Sequence, residues 1–524
     1  MTQRRTDLDA LRGFAMLLGI ALHACLCFFP IPWPVHDTRH SDILPLFFVA
    51  VHGFRMPLFF LLSGYFTMLV YRRRGLRSLL EQRVHRILLP LVIAVATIMP
   101  LDTFLKRFAQ GTIRPEPAVA EILAGDEAAV RRRLAAPGAV ESKDSIYGRT
   151  PLGWAVLHGD PAIVAAVLDA GASPNECDRN GNTALHAAAF LGRDAAARVL
   201  LERGTDPRAA NAVGRLPLAA AIANPPDVAA EFAPLIGLQP LGVDEVLAGR
   251  TRTCTMLPEG PNAEGTEGGT LDRLNLAWLR LLSSEALRVR VGSWSLHLVQ
   301  TNVFDHLWFL WFLCWLVAIF ALLAVTDLLP TGRRRWWFMA ASCLLQAVMA
   351  TTQSFGPETP LGLLPKPHMV GFYACFFFFG VATFAADGLH TRLGRRWKIL
   401  LPAAAVLLAA GLATMNDRVL SAVLQPAYAW TMSLGLIGLF RRLLPEPRLA
   451  VSWLADASYW MYLVHVPLVI AVQMLVREWP LPPGVKFLLI LGIVIPILLA
   501  SYRWCVRYTP IGTLLNGPRD TAPT

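Results

Sequence analysis

The sequence predicts an all-α polytopic membrane protein of about ten transmembrane helices, with an α-solenoid insert between helices 3 and 4. Three observations carry that prediction. Of the 524 residues, 55% are hydrophobic and only 16% charged, well below the roughly 25% charge of a soluble chain. The apolar residues gather in runs long enough to cross a bilayer, at approximately 9–29, 44–70, 87–105, 306–327, 336–354, 368–386, 399–415, 419–440, 452–475 and 485–503. Residues 106–305 hold no such run; they carry instead a repeat of period 33, marked by Gly148, Gly181 and Gly214.

The first span holds the most unusual pair in the chain. Arg12 and His23 are eleven residues apart in "LDALRGFAMLLGIALHACLCFF". At about 100° and 1.5 Å per residue they share one helix face, roughly 16 Å apart along the axis. Ionisable groups inside a bilayer are costly, so the pair reads as a functional site. Arg4 and Arg5 precede the run as in a signal peptide, but Arg12 interrupts its start and no small-x-small site follows before Pro30.

The connections set the orientation. Basic stretches (Arg72, Arg73, Arg74, Arg77, Arg83 and Arg86; Arg333 to Arg335; Arg392, Arg395, Arg396 and Lys398; Arg441, Arg442 and Arg448; Arg503 and Arg507) alternate with connections carrying only Arg39, Lys366, Arg418, Arg477 and Lys486. The positive-inside rule then puts both termini in the cytoplasm. The net charge of +11 is a topology signal of this kind, and no nucleic-acid partner is read from it.

Further polar groups sit within the spans. His52 and Arg55 are three apart in the second, so they share a face, and Arg55 needs a wet cavity, a counter-charge or a ligand. Gly64 permits a close helix contact. Arg83, His85 and Arg86 open the third span, where membrane anchoring and binding of a cofactor's phosphates both fit. Asp305 and His306 lie at the outer edge of the fourth. His465 lies in the ninth, with Tyr459 and Tyr462 near it. Eight cysteines are scattered without a C-x-x-C pair, and no metal site is expected. A bridge between Cys177 and Cys254 stays open.

The period-33 units, with a degenerate one before Gly148, resemble ankyrin repeats. Thr183, Ala184, Leu185, His186 and Ala188 match that motif best; Thr150, Pro151 and Leu152, then Pro217, Leu218 and Ala220, match in part. The resemblance implies short helix pairs that stack, a structural His186, no chemistry, and a module that either binds a protein partner or serves as a spacer. Three spans precede the insert, so parity puts it in the periplasm. Residues 255–270 read as a Gly- and Pro-rich linker. The stretch that follows, with Arg273, Arg280, Glu285, Arg288 and Arg290, reads as an interfacial amphipathic helix.

"RRTDLDALRGFAMLLGIALH", "MPLFFLLSGYF", "HLWFLWFL" and "SYWMYLVHVPL" resemble the integral-membrane acyltransferase-3 family, whose R-x10-H signature falls on Arg12 and His23. "FRMPLFFLLSGYF" and "YRWCVRYTPIGTLLNG" are similar to the branch that succinylates periplasmic glucans. The resemblance implies a membrane O-acyltransferase of the bacterial inner membrane. It would move a succinyl or acetyl group from a cytoplasmic acyl-CoA, a co-substrate and not a tightly bound cofactor, to a hydroxyl of an extracytoplasmic glycan. His23 would then be general base or transient acyl carrier, and Arg12 its companion. Arg83 and Arg86 would meet the donor's phosphates, and Arg55 the acyl carboxylate. His52, Asp305, His306, Tyr462 and His465 would line the substrate site. A transporter and a membrane-anchored ankyrin scaffold are the competing classes. The expected divisions are 1–105 and 301–516 for the membrane domain, 106–250 for the repeats, 251–300 for linker and amphipathic helix, and 517–524 for a cytoplasmic tail.

Overall fold

The computed structural model describes residues 5–29, 33–111, 117–144, 148–211, 216–223, 241–257, 285–291, 294–299, 301–330, 335–349, 355–357, 362–387, 393–414, 417–444 and 448–517, together with isolated positions between them. The chain forms two units: residues 1–28, 41–105 and 302–524, and residues 29–40 with 106–301.

The first unit is a helical bundle. Its elements are α1 (Thr6–Cys25), α2 (Leu44–Arg83) and α3 (Leu89–Gly111). Each of the ten predicted spans falls on an apolar helix. By length and composition seven stretches among the described residues could cross a membrane, one of which, Leu44–Ala109, comprises α2 and α3. The predicted span 336–354 is described as a helix only over Trp337–Met349, 13 residues, and Trp397–Ala413 is also short. Gly75 breaks α2 below its apolar part: its φ of 77° lies in the left-handed region that glycine enters freely. α2 packs closely on a later helix because Gly64 faces the Phe377 carbonyl and Gly380 faces the Leu61 carbonyl, where a Cβ would collide with backbone. Gly64 thus serves the packing role its sequence context suggested.

The second unit contains α4 (Pro117–Leu123), α5 (Glu127–Leu134), α6 (Pro151–His158), α7 (Pro161–Asp169), α8 (Ala184–Leu191), α9 (Asp194–Glu202), α10 (Pro217–Ala223) and α11 (Val243–Met256). Helix pairs stand where the repeat predicted them in the degenerate first unit and in the units opening at Gly148 and Gly181. The unit opening at Gly214 shows its first helix, the stretch after it lying largely outside the described residues. Thr150 caps α6, and Thr183 with His186 forms a capping box on α8: the Thr183 amide donates to His186 Nδ1 at 3.1 Å. His186 is buried and structural. Leu152, Ile163, Val164, Val167, Leu185 and Leu200 are among the residues that fuse the pairs into one core. Cys177 and Cys254 are not joined by a disulfide.

Two boundaries differ from expectation. α11 continues to Met256 and packs on α8 and α9, so the repeat unit reaches past residue 250. The stretch read as an amphipathic helix is in part a hairpin: β1 (Arg288–Val291) pairs antiparallel with β2 (Trp294–His297), Arg288 opposite His297 and Val291 opposite Trp294. The alternation of Arg288-Val289-Arg290-Val291 has the period of two that a strand shows. Arg273, Arg280 and most of the linker lie outside the described residues.

The segment 29–40, between α1 and α2, belongs to the repeat unit. There the Arg179 guanidinium donates to His40 Nδ1 at 2.8 Å, and His36 is buried near Asp144 and Arg149. The chain then returns through α12 (Trp308–Val325), α13 (Trp337–Met349), α14 (Pro367–Asp387), α15 (Trp397–Ala413), α16 (Arg418–Leu443), α17 (Leu449–Val476), α18 (Pro483–Ser501) and α19 (Pro510–Asn516). α1 lies along α17, α2 along α14 and α16.

Two outcomes follow from this packing. Gly64→Val places branched carbons against the Phe377 carbonyl and should destabilise the bundle by about 1–3 kcal/mol, seen as a lower Tm in detergent; an unchanged Tm refutes the close approach. Burial above all, then His40, pushes His36 down to about 4, Asp144 opposing and Arg149 adding to the shift. A base with a lowered folded pKa stabilises fully above its unfolded pKa of roughly 6.5 and loses that contribution as pH falls, by about 1.4 kcal/mol per unit. Protection factors across residues 33–40, which are exchange rates corrected for the intrinsic slowing at lower pH, should therefore fall as pH drops from about 6.5 to about 4. The same residues in His36→Gln should show the intrinsic trend alone.

Candidate active site

Arg12 and His23 both face α17. The Arg12 Nη2 donates to the Ala455 carbonyl at 3.2 Å, and His23 Nδ1 lies 2.9 Å from His465 Nε2. Eleven residues on α1 thus match ten on α17, and the two helices run in the same direction. Arg12 is also 3.6 Å from Asp9, one turn earlier.

Proline organises the other side of His465. Pro467 lies inside α17 and has no N–H, so the Leu463 carbonyl four residues earlier lacks its intrahelical donor. His306 supplies one: its Nε2–H donates to Leu463 O at 3.1 Å. The Tyr462 hydroxyl in turn donates to the His306 carbonyl at 2.7 Å. The entry to α12 is thereby tied twice to α17. The His306 and His465 rings meet edge to face with centroids 5.4 Å apart, and His465 continues to His23. Residues that the sequence showed as three separate motifs form one file of imidazoles.

Arg55 reaches the same region from α2. Its guanidinium lies against Gly19, one turn before His23, where any Cβ would strike Nη1. The hydroxyls of Tyr462 and Tyr373 are within electrostatic reach. Arg55 Nε is buried without a hydrogen-bond partner, and among the described residues no carboxylate pairs with this cation. His52 is occupied elsewhere: its Nε2–H donates to Pro357 O at 3.0 Å and its ring stacks on Phe48. His52 and Arg55 lie three residues apart on α2, within electrostatic reach of one another.

Near the other end of α17, Tyr459 donates to the Arg86 carbonyl at 2.8 Å, and the Arg83 Nη2 donates to Thr67 Oγ1 at 2.9 Å. Arg83 keeps a buried Nε that no described group accepts from. One described group could hold a metal ion: the ligand atoms of Asp102, Asp305 and His306 lie within 4.8 Å of one another.

Sequence reasoning overlooked Asp102 and Gln473. The Gln473 side chain, fully buried, donates to the carbonyls of His23 at 3.1 Å and Ala24 at 3.2 Å, so it closes the end of α1 at the candidate base. A lone amide inside "VIAVQMLV" was the available signal.

A family model for an acyltransferase domain, acyltransferase-3, matches residues 5–133 and 268–503. The chain belongs to the acyltransferase-3 family. Every candidate site residue lies within the acyltransferase-3 match, and a model of three ankyrin repeats matches residues 118–211. The glucans biosynthesis protein C of Shigella dysenteriae serotype 1 (strain Sd197) and that of Escherichia coli (strain K12) are each 32% identical over 117 residues, 22% of this chain. The matched stretch spans 30% of the length of these curated relatives.

Gln473→Leu leaves the His23 and Ala24 carbonyls without this donor, a loss of about 1–3 kcal/mol. A lowered Tm of the purified protein is expected; a Tm equal to wild type contradicts the capping role.

Proposed function

We propose that this protein is a membrane O-acyltransferase that moves an acyl group from a cytoplasmic acyl-CoA to a hydroxyl of an extracytoplasmic glycan. The observation that carries the reading is the contact of His23 with His465 beside the unpaired Arg55, in a chain whose family is that of acyltransferases. A sugar hydroxyl is a weak nucleophile until a base takes its proton. His23 Nε2 takes that proton as the hydroxyl oxygen bonds to the acyl carbon. The carbon–sulfur bond then breaks with its electron pair leaving on sulfur, and the thiolate recovers the proton from His23. No net proton is released, and ester and free thiol are the products.

Arg12, Arg83 and Arg86 form the donor end, with charge suited to phosphates. Arg55, one turn from the base, suits a carboxylate on the acyl chain or the oxyanion of the tetrahedral intermediate. The name of the curated relatives, glucans biosynthesis protein C, supports a glucan as acceptor. Asp305, His306 and Tyr462 shape the acceptor end. The basic connections support an inner-membrane protein with both termini cytoplasmic. The repeats share a unit with segment 29–40, two spans away, which supports placing both on the periplasmic side. The insert then offers its surface to a periplasmic protein partner.

A His23→Ala strain that accumulates the protein at the wild-type level should lose ester substituents from its envelope glycans by mass spectrometry. Unchanged acylation would refute the assignment.

A further inference from the structure

We infer that His465 is a positioning residue which fixes His23 in the one tautomer that presents Nε2 to the acceptor hydroxyl. The inference rests on the base role proposed for His23. It follows from a chain of hydrogen bonds that ends on a group able only to accept. His465 Nδ1 lies 2.8 Å from the Tyr462 carbonyl. A carbonyl has no proton to give, so His465 carries its hydrogen on Nδ1. The ring is buried in an apolar bundle that already holds the cation of Arg55, and a second cation there is costly, so His465 is neutral and its Nε2 is a lone pair. At 2.9 Å, His23 Nδ1–H therefore donates to it. A neutral His23 with its hydrogen on Nδ1 has its lone pair on Nε2, the atom that must receive the hydroxyl proton.

The arrangement assists twice. Before the reaction it excludes the tautomer with hydrogen on Nε2, which cannot act as base. Once Nε2 has taken the proton, His23 is an imidazolium whose Nδ1–H still has its acceptor, so the charge forms against a lone pair already aimed at it. His306 completes the device, because its ring, held by the carbonyl that Pro467 frees, packs edge to face on His465 and restrains its rotation. His465 thus takes the place of the third group that orients a catalytic base, often a carboxylate, with a neutral ring suited to hydrocarbon surroundings.

The test uses the full chain in lipid nanodiscs, with thiol release from acetyl-CoA or succinyl-CoA measured in the presence of a β-linked gluco-oligosaccharide. Gln at position 465 sets its Oε1 where Nε2 stood; Phe keeps the volume and removes the acceptor. His465→Gln should hold kcat within about threefold of wild type, while His465→Phe should lose at least about tenfold in kcat with little change in KM. Nitrogen-15 spectra of histidine-labelled protein should show His23 with hydrogen on Nδ1 in wild type and the Gln variant, and a mixture of tautomers in the Phe variant. If the Phe variant does not accumulate, His465→Asn, whose oxygen is too short to reach His23, replaces it. Full activity in the Phe or Asn variant, with His23→Ala inactive, overturns the positioning role alone. Full activity in His23→Ala as well overturns the base itself.

Discussion

Hydrocarbon offers no hydrogen bonds, so a polar group inside this bundle is costly unless it finds a partner within the bundle, and α17 is where many of them do. Along one helix, Ala455 accepts from Arg12, Tyr459 reaches the Arg86 carbonyl, Tyr462 and Leu463 hold His306, His465 meets His23 and Gln473 caps α1. An unmet group of this sort costs several kcal/mol in lipid. The same constraint that builds the bundle therefore aligns its chemistry: residues from α1, the entry to α12 and the helical junction of α2 with α3 are drawn to a common spine because each has to be satisfied there. Pro467 sharpens the point. A residue that removes a helix hydrogen bond is ordinarily a defect, and here the vacated carbonyl is what recruits His306.

The membrane architecture was legible because its signals are long and redundant. Ten apolar runs and the alternation of basic connections agree on the helices, and the 33-residue period marked the repeats down to the degenerate unit at α4 and α5. The Arg12–His23 pair was legible for a simpler reason, since helical periodicity alone puts both on one face and the contacts with α17 bear that out. What could not be read was the meeting of spans. Nothing in "HLWFLWFL" or "SYWMYLVHVPL" says that His306 will reach the Leu463 carbonyl, because the partner is backbone and the event that frees it is an absent hydrogen. His52 was incompletely legible for a like reason: the backbone carbonyl of Pro357 that holds its imidazole comes from a distant part of the chain. The hairpin at β1 and β2 was hidden by length. Four residues of alternation are too few to outweigh the helical pattern of their neighbours.

Close packing complements this polar network. Between α2 and α14 the driving force is dispersion between backbones, which Gly64 and Gly380 allow by having no side chain to keep them apart. One helix pair is thus joined by the removal of atoms and another, α1 with α17, by the placement of polar ones. The two kinds of joint have different consequences for the site. The tightly apposed pair makes a rigid wall, and Arg55, carried by the same α2, meets α1 at Gly19, one turn from His23.

The short connection 29–40 follows the helix that carries His23, joins the repeat unit, and hands the chain on to the helix that carries Arg55. The repeats are accordingly no detachable bead on a loop. Excising them would strip part of the covering from a segment in which Trp33, Val35 and His36 are buried, and would give both helices a frayed, apolar connector. A truncated enzyme built to ask what the repeats bind would thus be altered at the joint between its two most important helices. Point changes on the repeat surface, away from Arg179, leave that joint whole.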